Sequence, residues 1–600
     1  MCGIIGYAGS DPDTTENVLL DGLSSLEYRG YDSAGIAVAN GMLDVYKRSG
    51  ELSVLESTLD GKTVTGPVGI GHTRWSTHGP PTDENAHPHT GCSDRVAVVH
   101  NGIISNDESL KSTLTDAGHT FESDTDTETV PHLIERFLDR GYSPAESFRH
   151  AIKRLDGSYA IAAIFHDSDE IYATRRQSPL VVGLGADATY LASDVPAFIE
   201  HTDRVIYLED RQVARLTPTD VVITDDDGER VDPAVDVVDW DPEDAGKSGY
   251  DHYMLKEIYE QPQAIRQSTR GRILELDGSV TLPDLPESIV EETDRVQFVA
   301  CGSSYYATQY GAALLRERGI PTQTFVASDY DVERIPLESG TLVVGVTQSG
   351  ETADTLGALR DANRAGATTL AVTNVVASSA ARECDATVYI RAGPEISVAA
   401  TKSFASQQAT VAILASVLDG RRPNPFLGGL RDLPSDIQRV LDTSNAREIA
   451  AEIVDADAYF FIGRGYQWPV ALEGALKMKE ITYAHAEGFP AGELKHGPLA
   501  LVTERTPVVA LVTGSNEVVE KTVGNVREVE SRGAPVVVVT DSPEDVAHLA
   551  DFVLEVPETN PALVPVVTNV QLQLLAYWTA YELDRPIDKP RNLAKSVTVE

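Results

Sequence analysis

The chain has 600 residues, 92 acidic against 49 basic, a formal net charge of -43, and 42% hydrophobic residues. That length exceeds what one hydrophobic core serves and predicts two to four domains, while the apolar share separates the chain from acidic disordered proteins. So acidic a balance excludes nucleic acid and anionic membrane as partners, because both recruit Lys and Arg.

The chain opens Met1-Cys2-Gly3. Removal of an initiator Met before a small residue gives Cys2 a free α-amine, which titrates near neutrality and can activate the adjacent thiol. Through residue 240, short apolar runs alternate with turn residues. GIIGYAG, AGIAVAN, VGIGHTRW, VAVVHNGI and SYAIAAIF predict strands of a layered α/β domain rich in antiparallel sheet. Between them stand four polar blocks: EYRGYDSAG from Glu27, HTRWSTHG from His72, HNGIISN from His100 and SDTDTE from Ser123. His87 and His89 in AHPH have no Cys or carboxylate companion, so the reading is structural and no metal site is predicted.

Residues 241–252, which overlap the polar stretch VDVVDWDPEDAGKSGY from Val235 to Tyr250, read as a linker. An amphipathic helix is predicted from Tyr253. The remainder is a duplication, with copies at 253–440 and 441–590. RVQFVACGSSYYATQYGAALL is echoed by AYFFIGRGYQWPVALEGALK, with Gly302 aligned on Gly463, and TTLAVTNV is echoed by APVVVVTDS. Apolar strands ending in Gly, Ser or Thr before helical patterns predict two doubly wound parallel α/β domains, whose ligands sit beyond the carboxyl ends of the strands. CGSSYY from Cys301 and TQSGETADT from Thr347 place hydroxyls and glycines at two such ends. Free backbone NH groups there suit a phosphate monoester, and no GxxxxGK[ST] run suggests a nucleoside triphosphate.

In the second copy Glu473, Lys477 and Glu480 share one helical face. The 49 basic residues divide into 13 lysines and 36 arginines, so the clustering of Lys477, Lys479 and Lys495 in this block is informative. Lys402, in the first copy, is a further candidate for the ligand site. The tail 591–600, RNLAKSVTVE, carries Lys595, which reads either as a helix-capping group or as an amine that forms a Schiff base. An acidic, lysine-poor surface suits a halophilic cytoplasm, where salt screens self-repulsion. Four dispersed cysteines form neither a disulfide framework nor a CxxC spacing. With neither a membrane-length apolar run nor a signal peptide, the expected location is cytoplasmic.

Cys2 and the four polar blocks closely resemble glutamine amidotransferase domains of the N-terminal-nucleophile class, which implies a layered αββα fold. The resemblance implies that Arg74 binds the glutamine α-carboxylate and Asp126 its α-ammonium, with Thr77 and His78 lining the site and Asn101 and the Gly102 NH forming the oxyanion hole. The second half resembles sugar-isomerase domains, which implies phosphate contacts from Ser303, Ser304, Thr347, Gln348, Ser349 and Thr352.

From Cys2 to Glu600 the chain resembles the isomerising glutamine–fructose-6-phosphate transaminase family. ESDTDTE, TQSGETADT, GELKHGPLAL and PRNLAKSVTVE are highly specific for it. The resemblance implies conversion of fructose 6-phosphate and glutamine to glucosamine 6-phosphate and glutamate, the entry to hexosamine biosynthesis, without a cofactor. It implies that His496 opens the sugar ring across the interface of a homodimer, that Lys595 forms the imine at C2, and that Glu480 moves the proton between C1 and C2 with Lys477 assisting. Trp75 and Arg591 are implied to gate an ammonia channel. ASDYDVERIP, read as following the third strand of the first copy, departs from the family's ASEFRYR, and Ala400 stands where Ser is common. An amidophosphoribosyltransferase would need a phosphoribosyl-pyrophosphate loop in place of the duplication. A non-enzymatic phosphosugar sensor could dispense with Cys2, Glu480 and Lys595, all of which are present.

Overall fold

The computed structural model describes residues 2–75, 79–238, 247, 249–376, 378–421, 424–514 and 516–597. It divides into two compact units, Met1–Gly246 with Ala594–Glu600, and Lys247–Leu593. The called linker spans the division between them, and among its described residues none is helix or strand.

The first unit is built on two antiparallel sheets. In one, eight strands run from Asp236–Val237 at one edge to Leu43–Ser49 at the other, with Gly3–Gly9 and Val68–Arg74 adjacent in the interior. In the other, seven strands run from Arg230–Val231 to His89–Thr90, with Val96–Ile104 beside Gly157–Phe165. Ile4, Val68 and Ile70 of the first meet Val99, Ala162 and Ile164 of the second in one core. Helix Thr15–Leu26 packs on Gly3–Gly9 and Val68–Arg74. Helices Thr129–Leu138 and Pro144–Ile152 bury Ile134 and Phe148 against Val96 and Val98. Each sheet is therefore covered on both faces, and every residue of Gly3–Gly9 is buried. This explains why the sequence runs are continuously apolar rather than alternating. All five predicted runs lie in strands, and the order of layers is αββα.

The second unit holds two parallel sheets of five strands with the same spatial order. In the first copy it is Thr322–Val326, Arg295–Ala300, Thr341–Thr347, Thr368–Thr373, Ala386–Tyr389. In the second it is His485–Pro490, Ala458–Gly463, Val508–Val512, Val536–Thr540, Phe552–Glu555. In chain order both read 2-1-3-4-5, the doubly wound form expected. The detailed alignment needs correction. The equivalent first strands begin at Arg295 and Ala458, so pairing Gly302 with Gly463 is two residues out of register. Gly302 begins a helix, whereas Gly463 ends a strand and is followed by a turn before helix Gln467–Thr482.

Two local expectations also change. The helix predicted from Tyr253 is split into Tyr253–Tyr259 and Gln261–Thr269. Pro262 stands in the first turn of the second piece, where a missing N–H costs nothing. ASDYDVERIP follows the second strand of its sheet, not the third, and Tyr330 within it is buried, its hydroxyl donating to Gln297 Oε1 at 2.9 Å. A single apolar core runs through both copies: Met254, Ile413, Ile437, Phe461, Leu511 and Leu572 all belong to it. The 440/441 division called from sequence falls inside helix Leu427–Thr443. Among the described residues no helix is long and apolar enough to cross a membrane.

Candidate active sites

Cys2 stands immediately before the central strand Gly3–Gly9, next to the end of Val68–Arg74, because Gly3 pairs with Thr73. Its Sγ accepts a hydrogen bond from the Trp75 backbone N–H at 3.3 Å and lies 3.5 Å from the Trp75 carbonyl. Burial pushes the Cys2 thiol up, so the nucleophile needs a base beside it, the role that sequence assigns to its own α-amine. Asn101, on the facing sheet, donates from Nδ2 to the Cys2 carbonyl oxygen at 2.9 Å. Its Oδ1 lies 3.1 Å from His72 Nε2, which fixes the way the amide faces. Gly102 follows with φ +119°, and a Cβ there would stand 2.0 Å from the Ser158 carbonyl oxygen, so only glycine fits.

Arg74 is buried, with Nη2 donating to the Gly79 carbonyl at 3.2 Å and Nη1 to that of Pro80 at 3.4 Å. Burial lowers its pKa, opposed by the charges of Asp32 and Asp126 among others. Asp126 is buried too, and its Oδ2 accepts from the Ile104 N–H at 2.7 Å, docking the SDTDTE loop onto the strand of Asn101 and Gly102. Thr77 and His78 lie outside the described residues. Trp75 is half-buried, its ring edge-on to Tyr31 at 5.7 Å.

The remaining motif residues build the frame. Arg29 pairs with Asp194 at 2.6 Å, and the Tyr28 hydroxyl donates to the same carboxylate at 2.7 Å. His72 stacks on His87 at 4.1 Å, and His87 meets His89 edge-on at 4.8 Å. Burial drives His72 down to about 3 and holds His87 and His89 well below the usual histidine range. They are neutral packing and hydrogen-bonding groups. A different set, Cys92, His119, His132 and Glu135, does converge. Its members are scattered at spacings that match no motif, and sequence reasoning passed them over.

In the second unit the called hydroxyls fall at carboxyl ends of strands. Ser303 and Ser304 lie in the first turn of helix Gly302–Glu317, after strand Arg295–Ala300. Thr347 ends the neighbouring strand, and its Oγ1 lies 2.9 Å from that of Thr352, the N-cap of helix Ala353–Arg364. Gly350 between them has φ +67°, and a Cβ would stand 2.0 Å from Ser378 Oγ. The Gln348 carbonyl accepts from the Asn374 N–H at 3.0 Å, and Ser349 Oγ from the Glu351 N–H at 3.1 Å. The result is a cup of hydroxyls at adjacent helix N-termini, suited to an oxyanion.

Helix Gln467–Thr482 brings Glu473, Lys477 and Glu480 together, as their spacing predicts. The Lys477 ammonium, fully buried, donates to Glu480 Oε2 and lies 3.5 Å from Glu473 Oε1. Ser303 Oγ of the first copy donates to Glu473 Oε1 at 3.0 Å. Burial raises Glu473 to about 7; burial opposes charge on Lys477, but the two carboxylates outweigh it and raise its pKa. Gln407, which the sequence did not single out, donates from Nε2 to Ser304 Oγ at 2.9 Å. Buried Glu395, also unnoticed, accepts from the Thr401 and Ser403 backbone N–H groups, both at 2.9 Å, at the start of helix Lys402–Asp419.

Other called lysines have partners elsewhere. Lys402 is buried and pairs with Glu260 at 2.6 Å. Lys495, which clusters in sequence with Lys477, is exposed and pairs with Glu528 at 3.0 Å, a surface ion pair. Lys479 is exposed. His496 is exposed at the end of the short helix Ala491–His496, and among the described residues its ring makes no hydrogen bond or ion pair. Arg591 stacks its guanidinium over the Tyr483 ring at 4.3 Å, and its backbone N–H donates to the Tyr483 hydroxyl at 2.8 Å. Lys595 is half-buried in the segment that belongs with the first unit.

The family model described as a SIS domain matches residues 289–417 and 452–583, and that described as a glutamine amidotransferase domain matches residues 72–200. A protein of Halobacterium salinarum named glutamine–fructose-6-phosphate aminotransferase [isomerizing] is 52% identical, over 100% of each chain. One of the same name from Thermus thermophilus is 47% identical, again over 100% of each. The solved C-terminal domain of glucosamine-fructose-6-phosphate aminotransferase from Francisella tularensis is 36% identical with a TM-score of 0.54, covering 57% of this chain and 99% of that one.

Proposed function

The chain belongs to the isomerising glutamine–fructose-6-phosphate aminotransferase family, and on that premise we propose the division of labour below. The reaction converts D-fructose 6-phosphate and L-glutamine to D-glucosamine 6-phosphate and L-glutamate. The halophilic reading of the composition fits the Halobacterium match.

In our reading Cys2, freed of Met1, attacks the glutamine side-chain amide. Arg74 and Asp126 hold the α-carboxylate and α-ammonium, with Thr77 and His78 alongside. Asn101 Nδ2 and the Gly102 N–H stabilise the oxyanion. Collapse expels ammonia and leaves a glutamyl thioester, which water hydrolyses to glutamate. In the second unit Ser303, Ser304, Thr347, Gln348, Ser349 and Thr352 take the sugar phosphate. His496 of a second copy opens the ring, which calls for a homodimer, and its exposure in the single chain is consistent with that. Lys595 forms the C2 imine, ammonia displaces it, and Glu480, paired with Lys477, carries the proton between C1 and C2. Trp75 and Arg591 gate a dry path that keeps ammonia unprotonated. The enzyme works in the cytoplasm.

The observation that carries this reading is the buried Lys477 ammonium, which pairs with Glu480 and with Glu473, the carboxylate that accepts from Ser303 of the hydroxyl cup. The test is glucosamine 6-phosphate formation from fructose 6-phosphate and glutamine in molar salt. Absence of product under every salt condition overturns it. Borohydride should trap the sugar on wild-type protein and not on Lys595→Arg; trapping on the variant would show that another lysine forms the imine.

A further inference from the structure

Four side chains of the first unit that no step above uses converge on one point. Cys92 lies in the turn between strands His89–Thr90 and Val96–Ile104. His119 follows helix Asp107–Asp116, and His132 and Glu135 stand three residues apart on helix Thr129–Leu138. One candidate ligand atom from each lies within 4.8 Å of all the others. Cys92 Sγ is 3.5 Å from His132 Nδ1 and 3.8 Å from His119 Nδ1. The two Nδ1 atoms are 3.2 Å apart, and His119 Nδ1 is 3.9 Å from Glu135 Oε2. A tetrahedral ion about 2.0–2.1 Å from N and O and about 2.3 Å from S spaces its ligand atoms about 3.3–3.6 Å apart. The observed separations bracket that range.

The surroundings orient these groups. His132 turns Nε2 toward Glu128 Oε1 at 3.5 Å, which leaves Nδ1 facing the point of convergence. Glu135 has its other oxygen, Oε1, held by the Ser93 N–H at 2.9 Å and by the Ser93 hydroxyl, with Arg95 Nε 3.9 Å away. The Thr120 N–H donates to Cys92 Sγ at 3.5 Å. A carboxylate behind a ligating histidine and an N–H behind a sulfur are the supports that metal ligands need. His132 and Glu135 are buried, whereas Cys92 is exposed and offers an entry path.

We propose that Cys92, His119, His132 and Glu135 bind a zinc-class divalent cation. One thiolate, two imidazoles and one carboxylate suit Zn²⁺ better than Mg²⁺ or Ca²⁺, and four protein ligands make a closed, structural site. Binding displaces the thiol proton into solvent. The ion ties the turn before strand Val96–Ile104 to the helix after the Asp126 loop.

The test uses untagged full-length protein in molar salt, stripped with a chelator and titrated with Co²⁺. About one equivalent should bind per chain, with the intense visible bands of tetrahedral cobalt and a near-ultraviolet sulfur-to-cobalt band. Cys92→Ser should lose the sulfur band and His132→Ala most of the affinity, while Cys2→Ala should keep both. Stripping should lower the Tm of wild type by several degrees and leave that of Cys92→Ser unchanged. Absence of tetrahedral cobalt bands in wild type, or a sulfur band that survives Cys92→Ser, overturns the proposal. Because Cys92 is exposed, its serine variant should fold, and its circular dichroism should match wild type.

Discussion

Ser303 Oγ donates to Glu473 Oε1 at 3.0 Å, joining the first-turn hydroxyl of one copy's helix to the helix of the other across 170 residues. The acceptor is a fully buried carboxylate, raised to about 7 by burial. Relative to the ordinary glutamate value of 4.5 the folded state holds this proton more tightly than the unfolded chain, so the stability it contributes is complete below 4.5 and is lost as pH rises through about 7. Glu473→Gln, which cannot titrate, should remove that component. The difference between wild-type and variant stability should change by on the order of 1.4 kcal/mol per pH unit within the window, read by denaturant unfolding at several pH values. Parallel curves for the two proteins would show that Glu473 is not so shifted.

The neutral histidines act in the opposite sense. His72, His87 and His89 have folded pKa values below 6.5, so their contribution is present above 6.5 and fades as pH falls through the folded values, which for His72 is about 3. Each contributes up to about 1.4 kcal/mol per pH unit in that interval. The glutaminase unit should therefore lose its near-ultraviolet circular dichroism steeply below pH 6. His72→Gln, which cannot titrate, should flatten that loss by about one proton's worth.

Cys2→Ala should abolish glutamine-dependent synthesis while leaving fructose 6-phosphate binding within about twofold of wild type, as measured by calorimetry. A comparable loss of both would mean that the substitution damages the fold.

Gly102→Ala meets two obstacles, a φ of +119° and the Ser158 carbonyl oxygen 2.0 Å from the new Cβ. Strain of about 1–3 kcal/mol is expected, and glutaminase activity should fall further than stability does, because Asn101 is displaced with it. Retained glutamine hydrolysis would show that the strand can shift to make room.

Lys495→Ala should cost about 0–1 kcal/mol, the ordinary worth of an exposed ion pair. Lys477→Met leaves the Glu473 and Glu480 charges without their buried partner and should cost about 3–5 kcal/mol. Isomerase activity of the first variant should stay near wild type.

Those two lysines mark the boundary of what the sequence reveals. Both stand in one dense block of a lysine-poor chain, and spacing along a helix correctly gathers Lys477 with Glu473 and Glu480. Composition carries no burial, however, so it ranks the exposed Lys495 with them. Strand ends and their hydroxyls are legible because a doubly wound sheet puts small polar residues there. The partnerships of Ser303 with Glu473, Ser304 with Gln407 and Asn101 with the Cys2 carbonyl join distant elements, and no periodicity announces them. The Gly302–Gly463 pairing fails for a related reason: a shared glycine is a weaker register mark than the strand that precedes it.

The apolar core that runs unbroken through both copies has a practical meaning for anyone dissecting the gene. Two sheets of identical strand order invite expression of either half, yet a cut near residue 440 would sever a helix and strip Leu433 and Ile437 of their neighbours. Each fragment would expose a hydrophobic face and lose one side of the Ser303–Glu473 contact. The duplicated unit is a pair in ancestry and a single piece in mechanics.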